Sequence, residues 1–274
     1  MNAKRRKGEE TASNKNMSTI KSLYLVIVLA FVASFGLYAQ TASPEAVKAY
    51  QAKKYDKAAE LLQKEVDAHK KSGEESPALY YNLGNAYFRA NELAKAILYY
   101  ERALLLDPGN KDIRHNIAYA STKVEDADKI AKTENIFIQD WFESLENACS
   151  SNTWVAFGIV CFLFTIGCCF FFFFGNQVWV KKTAFYGGIS GLVLVILFNL
   201  FAYLQQQDIT RKNTAIVMAP SIQMVSSPDE KSKVLMNLHA GLKVRITKTD
   251  GDWYEIEIDN GSIGWIPSDK LEII

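Results

Sequence analysis

The residues able to do covalent chemistry are few and scattered. Three histidines occur in the 274 residues, His69, His115 and His239, each in a different segment. No HExxH pair, Ser-His-Asp arrangement or glycine-rich phosphate loop accompanies them, so hydrolytic and phosphoryl-transfer chemistry lack their residue sets. Four cysteines, Cys149, Cys161, Cys168 and Cys169, lie in or just before an apolar run, without the paired Cys/His spacing of a zinc site. Glu60, Glu65 and Asp67 recur at helical spacing on what reads as a solvated face. The expectation is a protein that is not an enzyme and uses no metal or cofactor. Noncovalent chemistry is better provided for. Between residues 81 and 119 stand Tyr81, Asn82, Asn85, Phe88, Arg89, Asn116 and Tyr119. Asn amides both donate to and accept from a peptide backbone, and ring faces pack on apolar side chains.

The elements that must position these residues show in residues 77–110. Large residues stand at Tyr80, Leu83 and Tyr87, small ones at Gly84 and Ala96, then Tyr100, Ala103 and Pro108. Gly84 and Ala96 are small where two helices must cross closely, and Pro108 ends the second helix. This stretch resembles a tetratricopeptide (TPR) repeat at its signature positions. Tyr55 and Ala58 align with Leu93 and Ala96 as a poorer preceding copy, with extra linker residues in KKSGEESP; Ile117 and Ala118 align with Leu83 and Gly84 as the start of a third, capping unit. A single repeat cannot bury its apolar face alone, so residues 44–135 read as an all-α TPR solenoid. The resemblance places Tyr81, Asn85, Phe88, Arg89, Asn116 and Tyr119 on its concave, partner-binding face. Asn85 and Asn116 match part of a clamp that some TPR proteins use for a terminal carboxylate, but Tyr81 replaces its lysine. Two readings stay open: the amides and rings hold an extended peptide, or Asn82, Asn85 and Asn116 bridge helices.

At the N-terminus, Lys4, Arg5, Arg6, Lys7, Lys15 and Lys21 precede an apolar run from Leu23 to Leu37 and small residues ending at Ala39. Residues 1–39 therefore read as a signal peptide with a basic leader, Met17 being an alternative start and an uncleaved anchor the other reading. Residues 154–174 and 183–204 contain no Asp, Glu, Lys, Arg or His. Either run, as a helix, spans a hydrocarbon core of roughly 30 Å. They read as a two-helix transmembrane hairpin, with a juxtamembrane linker at 136–153 and a short basic loop at 175–182 carrying Lys181 and Lys182. A signal peptide would place both flanking domains outside the cytoplasm.

From 213 to 274 the apolar period shortens to that of strands, with turns at SSPDEKS, HAG, KTDGD and DNGS. This segment resembles a small all-β, bacterial SH3-like barrel, through Ala240-Gly241, Gly251-Asp252-Trp253-Tyr254 and Gly264-Trp265-Ile266. Trp253 and Tyr254 are adjacent, so one ring points in and the other out, the outward one being a candidate ligand contact. Trp265 reads as core.

The order of modules resembles the BatE-type, TPR-bearing members of the Bat aerotolerance-operon proteins of Bacteroidetes. That resemblance implies a multidomain scaffold in the bacterial inner membrane, with its TPR and SH3-like parts in the periplasm. It also implies von Willebrand-type Bat membrane proteins and a MoxR-type ATPase as partners, in tolerance of oxygen or envelope stress. The alternative is a cell-wall sensor that binds peptidoglycan or peptide through the β module. A net charge of +1 supplies no electrostatic footprint for nucleic acid.

Overall fold

The computed structural model describes residues 42–125 and 137–274; the signal peptide read at 1–39 and the end of the third helical unit lie outside the described residues. Five helices form the first part: α1 (Pro44–Gln51), α2 (Tyr55–Ser72), α3 (Pro77–Arg89), α4 (Leu93–Leu106) and α5 (Lys111–Ser121). Their starts are written locally. Ser43 and Ser76 each cap a helix by accepting from the backbone N–H three residues on, and a proline follows each at the first helical position. Asn110 caps α5 through the N–H groups of Asp112 and Ile113. Lys53 and Asn91 hold the same left-handed conformation in the turns α1–α2 and α3–α4, with φ of 57° and 65°, so the first two pairs repeat one geometry. The first unit thus has its own short leading helix, α1, which the Tyr55 and Ala58 alignment did not reveal.

The pairs stack through small residues. Ala58, Ala96 and Ala103 are fully buried, and a Cβ placed on Gly84 would stand 2.6 Å from the Tyr100 ring. The helices therefore approach closely here because no side chain separates them. Leu62, Leu83, Ile97 and Ile113 fill the same core.

Helix α6 (Phe137–Glu146) occupies most of the stretch read as a linker. Two helices follow, α7 (Ser151–Phe174) and α8 (Val178–Arg211), both long and apolar enough to cross a membrane. Only 11% and 17% of their apolar windows are buried, so they do not form the core of a water-soluble domain. The connection between them is residues 175–177, shorter than the loop read at 175–182, and Lys181 and Lys182 lie in the first turns of α8. The two pack as a hairpin through glycines. A Cβ on Gly187 would lie 3.2 Å from Cys168 Sγ, and one on Gly191 would collide with Thr165 Oγ1. Helix α8 continues past the apolar run that ends at 204, and its last turns contact α4.

Seven strands complete the chain: β1 (Thr214–Val217), β2 (Ser221–Val225), β3 (Val234–His239), β4 (Lys243–Asp250), β5 (Trp253–Glu257), β6 (Ile263–Pro267) and β7 (Leu271–Ile273). They pair antiparallel in the order β3-β2-β6-β5-β4-β1-β7. Ala215, Val217, Met224, Leu238, Val244, Ile256, Ile258 and Ile266 form the core. Ile216, between two of these, points the other way and is buried in the helical core. Three consecutive apolar residues in β1 thus mean a strand covered on both faces, the second cover being α4.

That junction is built in detail. Gly241 has φ of 93°, and a Cβ there would lie 3.1 Å from both Ile97 and Val124. Arg102 donates to Glu272 Oε1 (2.9 Å) and to the Ile273 carbonyl (2.6 Å), while Lys243 Nζ lies 2.6 Å from Glu101 Oε2. Glu101 is buried, so Lys243 supplies the counter-charge that a buried carboxylate requires.

Candidate functional site

α1, α3 and α5 are the leading helices of the three units, and the sequence reading puts the binding face on them. Along it stand Val47 and Tyr50 from α1, Tyr81, Asn85, Phe88 and Arg89 from α3, and Asn116 and Tyr119 from α5. Between α1 and α3 lies a cavity of about 240 Å³, lined in part by Val47, Tyr50, Gln51, Asn82 and Asn85.

Of the six residues singled out in the sequence, three meet through hydrogen bonds, two pair as rings and one turns to a different helix. Asn116 Nδ2 donates to Asn85 Oδ1 (3.0 Å) and to the Tyr81 hydroxyl (3.1 Å), and the Tyr100 hydroxyl donates to Asn85 Oδ1 (2.8 Å). Burial holds the Tyr100 phenol well above its usual range, with the Tyr81 and Tyr50 phenols adding to the effect, so it remains a donor. Asn85 and Asn116 therefore bridge α3, α4 and α5, as the helix-bridging alternative anticipates. Their amides are partly committed to the fold before any peptide arrives.

Arg89 also turns toward the stack. It donates to the Tyr55 hydroxyl (3.0 Å) and covers that ring at 5.1 Å. Phe88 and Tyr119 remain as the contact surface. Their rings lie 5.7 Å apart, Lys123 Nζ stands 5.2 Å over Tyr119, and Tyr119 is 51% exposed. An aromatic pair with an adjacent ammonium can hold an apolar side chain and a carboxylate together. Tyr50 and Val47 extend this surface across the first unit; sequence reasoning missed both because α1 was not recognised as a leading helix.

On the β domain the two rings divide. Tyr254 stands across from Ile266 and packs on the core, and it lines a cavity between the modules with Tyr80, Arg102 and Glu272. Trp253 stands across from Pro267, and Trp265 across from Glu255. Residues of one strand alternate between faces, so Trp253, Glu255, Trp265 and Pro267 share the outer face. The expectation that Trp265 is core is overturned: Gly264 and Ile266 take the inner positions, and Trp265 is half-buried on the outside. Gly264 is required there because a Cβ would meet Met224 at 2.6 Å. The outer surface is thus Trp253 with Trp265, and Tyr254 belongs to the junction.

Among the described residues, no group of three His, Cys, Asp or Glu side chains is placed to hold a metal.

Comparison with known proteins gives two matches. Residues 77–110 match the tetratricopeptide repeat family, and residues 219–272 match the bacterial SH3 domain family. No curated protein matches the chain. The chain therefore carries a tetratricopeptide repeat and a bacterial SH3 domain, joined through two helices long and apolar enough to span a membrane.

Proposed function

We propose that this chain is a non-enzymatic, membrane-anchored scaffold that binds envelope protein partners through its concave helical face. The observation that carries this reading is the Phe88–Tyr119 ring pair beside Lys123, with Phe88 half-buried and Tyr119 exposed, on a surface whose Asn85 and Asn116 amides are tied to neighbouring helices. The module order supports an inner-membrane setting with both folded parts in the periplasm. It also supports a Bat aerotolerance and envelope-stress complex, with von Willebrand-type membrane proteins and a MoxR-type ATPase as the partners to be tested.

Asn85→Ala would strip Tyr100 and Asn116 of their shared acceptor, so loss of binding in that variant would not separate contact from fold. Phe88→Ala with Tyr119→Ala is the cleaner probe. Co-purification from detergent extracts is expected to lose on the order of tenfold or more of the partner, as removal of an aromatic anchor costs about 2 kcal/mol. Undiminished recovery would sink the groove as the binding surface.

A second reading rests on Trp253 and Trp265, which share the outer face of the β sheet. In it, that face binds peptidoglycan. Full-length protein in detergent should then sediment with purified cell wall, and Trp253→Ala should abolish this. Sedimentation that is absent, or unchanged by the substitution, removes the reading.

A further inference from the structure

Helix α6 reads FIQDWFESLE, with apolar residues at 137, 138, 141, 142 and 145, the spacing of an amphipathic helix. Part of its apolar surface is spent on the hairpin. The Phe142 ring lies 5.4 Å from the Phe201 ring and packs on the small core of Trp154, Phe201 and Ala202. Two donors pin the end of the helix. The Trp154 indole and Gln205 Nε2 both donate to the Glu146 carbonyl, at 2.8 Å and 2.6 Å, and Gln205 also donates to the Cys149 carbonyl (2.8 Å). Trp141 and Leu145 stand four residues apart, hence on one face, and remain 59% and 37% exposed.

The level at which α6 is held is set by the apolar run of α8, which ends at residue 204. Phe201 stands inside that run and Gln205 directly after it, so the contacts of α6 cover its last turn, about 6 Å of helix. Tyr203 marks the same level: it is 60% exposed, and its hydroxyl accepts from Gln207, one turn further along. Rings with an apolar body and a polar handle concentrate at the membrane–water boundary. At 10 residues, α6 is too short to cross a bilayer. A short amphipathic helix pinned at that level, with a tryptophan and a leucine uncovered, has the layout of one that lies in the boundary. Its charge narrows the cause. Asp140, Glu143 and Glu146 are its ionisable residues, with no Lys, Arg or His, so apolar burial and not attraction to anionic headgroups must hold it.

We propose that α6 is a third lipid contact of the anchor, lying in the membrane–water boundary with Trp141 and Leu145 set into the junction of headgroups and acyl chains. The partner is the lipid surface itself, and zwitterionic headgroups suffice. The proposal rests on α7 and α8 crossing a membrane. Its consequence is a strap along the bilayer surface where the sequence reads a linker.

Full-length protein labelled with 5-fluorotryptophan, in phosphatidylcholine nanodiscs, provides the test by fluorine NMR. The lines of Trp141, Trp179 and Trp253 are assigned by substituting each with phenylalanine. A phosphatidylcholine carrying a nitroxide just below its headgroup is expected to broaden the Trp141 line beyond detection. A water-soluble gadolinium chelate should leave that line sharp while broadening Trp253 on the outer face of the β domain. Trp179, 67% exposed in the first turn of α8, reads the anchor independently. If the lipid probe reaches Trp179 but not Trp141, the spans cross and this proposal alone is overturned. A Trp141 line broadened by the chelate means solvent, and one untouched by both probes means a protein cover such as a second copy; each overturns it. If the lipid probe does not reach Trp179, the membrane reading itself fails, and the proposal with it. Adding phosphatidylglycerol should leave the Trp141 result unchanged, and a broadening that requires the anionic lipid would overturn the apolar cause.

Discussion

Replacing Gly84 with valine is expected to collapse the helical stack, at a cost of about 3 kcal/mol, the upper end of what overpacking a core costs. The reason is local and steric. The position faces the Tyr100 ring at 2.6 Å from where a Cβ would stand, and Tyr100 is buried with its hydroxyl tied to Asn85. The ring cannot swing away without breaking that bond and displacing Tyr81, whose ring lies 5.9 Å from it. Urea titration followed by near-ultraviolet circular dichroism of the buried tyrosines reads the loss. Gly84→Ala should fall between wild type and valine. Joining it to Tyr100→Leu should return part of the stability, with a coupling of about 1 kcal/mol or more in a double-mutant cycle. A valine variant with wild-type stability would refute the close crossing.

The second large effect is alkaline unfolding of the same stack. Tyr80 and Tyr100 are 3% and 2% exposed, and burial raises both phenols well above their ordinary 10.0. The Glu75 carboxylate beside Tyr80, which accepts from its hydroxyl, adds to that rise. Tyr50, Tyr87 and Tyr99 shift upward for the same first reason, burial. A raised phenol binds its proton more tightly in the folded chain than in the unfolded one. The stabilisation is therefore complete below pH 10 and is lost as pH climbs above it. The slope is about 1.4 kcal/mol per pH unit for each of Tyr80 and Tyr100, once the unfolded phenols ionise. Tyrosinate absorbance and loss of near-ultraviolet dichroism should rise together, above pH 10. Ionisation of all tyrosines near pH 10 with the fold intact would count against this account.

Much of this architecture was legible because its causes are local. Gly84, Ala96 and Ala103 announce a close helix crossing at fixed spacing. Ser-Pro at 43–44 and again at 76–77 starts two equivalent helices, a signal that could have revealed α1. The strands of residues 213–274 follow from alternation and turn residues. The two apolar runs are long enough for membrane-spanning helices on length and composition alone.

What escaped sequence reasoning depends on contacts between distant segments. Local spacing cannot tell a free Asn85 from one that accepts from Tyr100 and Asn116, because those donors arrive on other helices. Trp265 reads as core in the sequence, yet the pairing of β5 with β6 gives that side of the sheet to Gly264 and Ile266. Adjacency alone leaves Trp253 and Tyr254 as two possible outward rings, and the register decides for Trp253.

By itself, the sequence determined the kinds of element and their order: repeats, two apolar helices, then a small sheet. Periodicity, caps and turn residues act over a few positions, and one chain displays them in full. The tertiary structure alone decided that the β domain is seated on α4 through Ile216, Gly241 and Lys243, and that the amides of Asn85 and Asn116 are braced while Tyr119 is left exposed. Each of these is a meeting of residues far apart in sequence, whose energy is set by burial and by which partner fills the space.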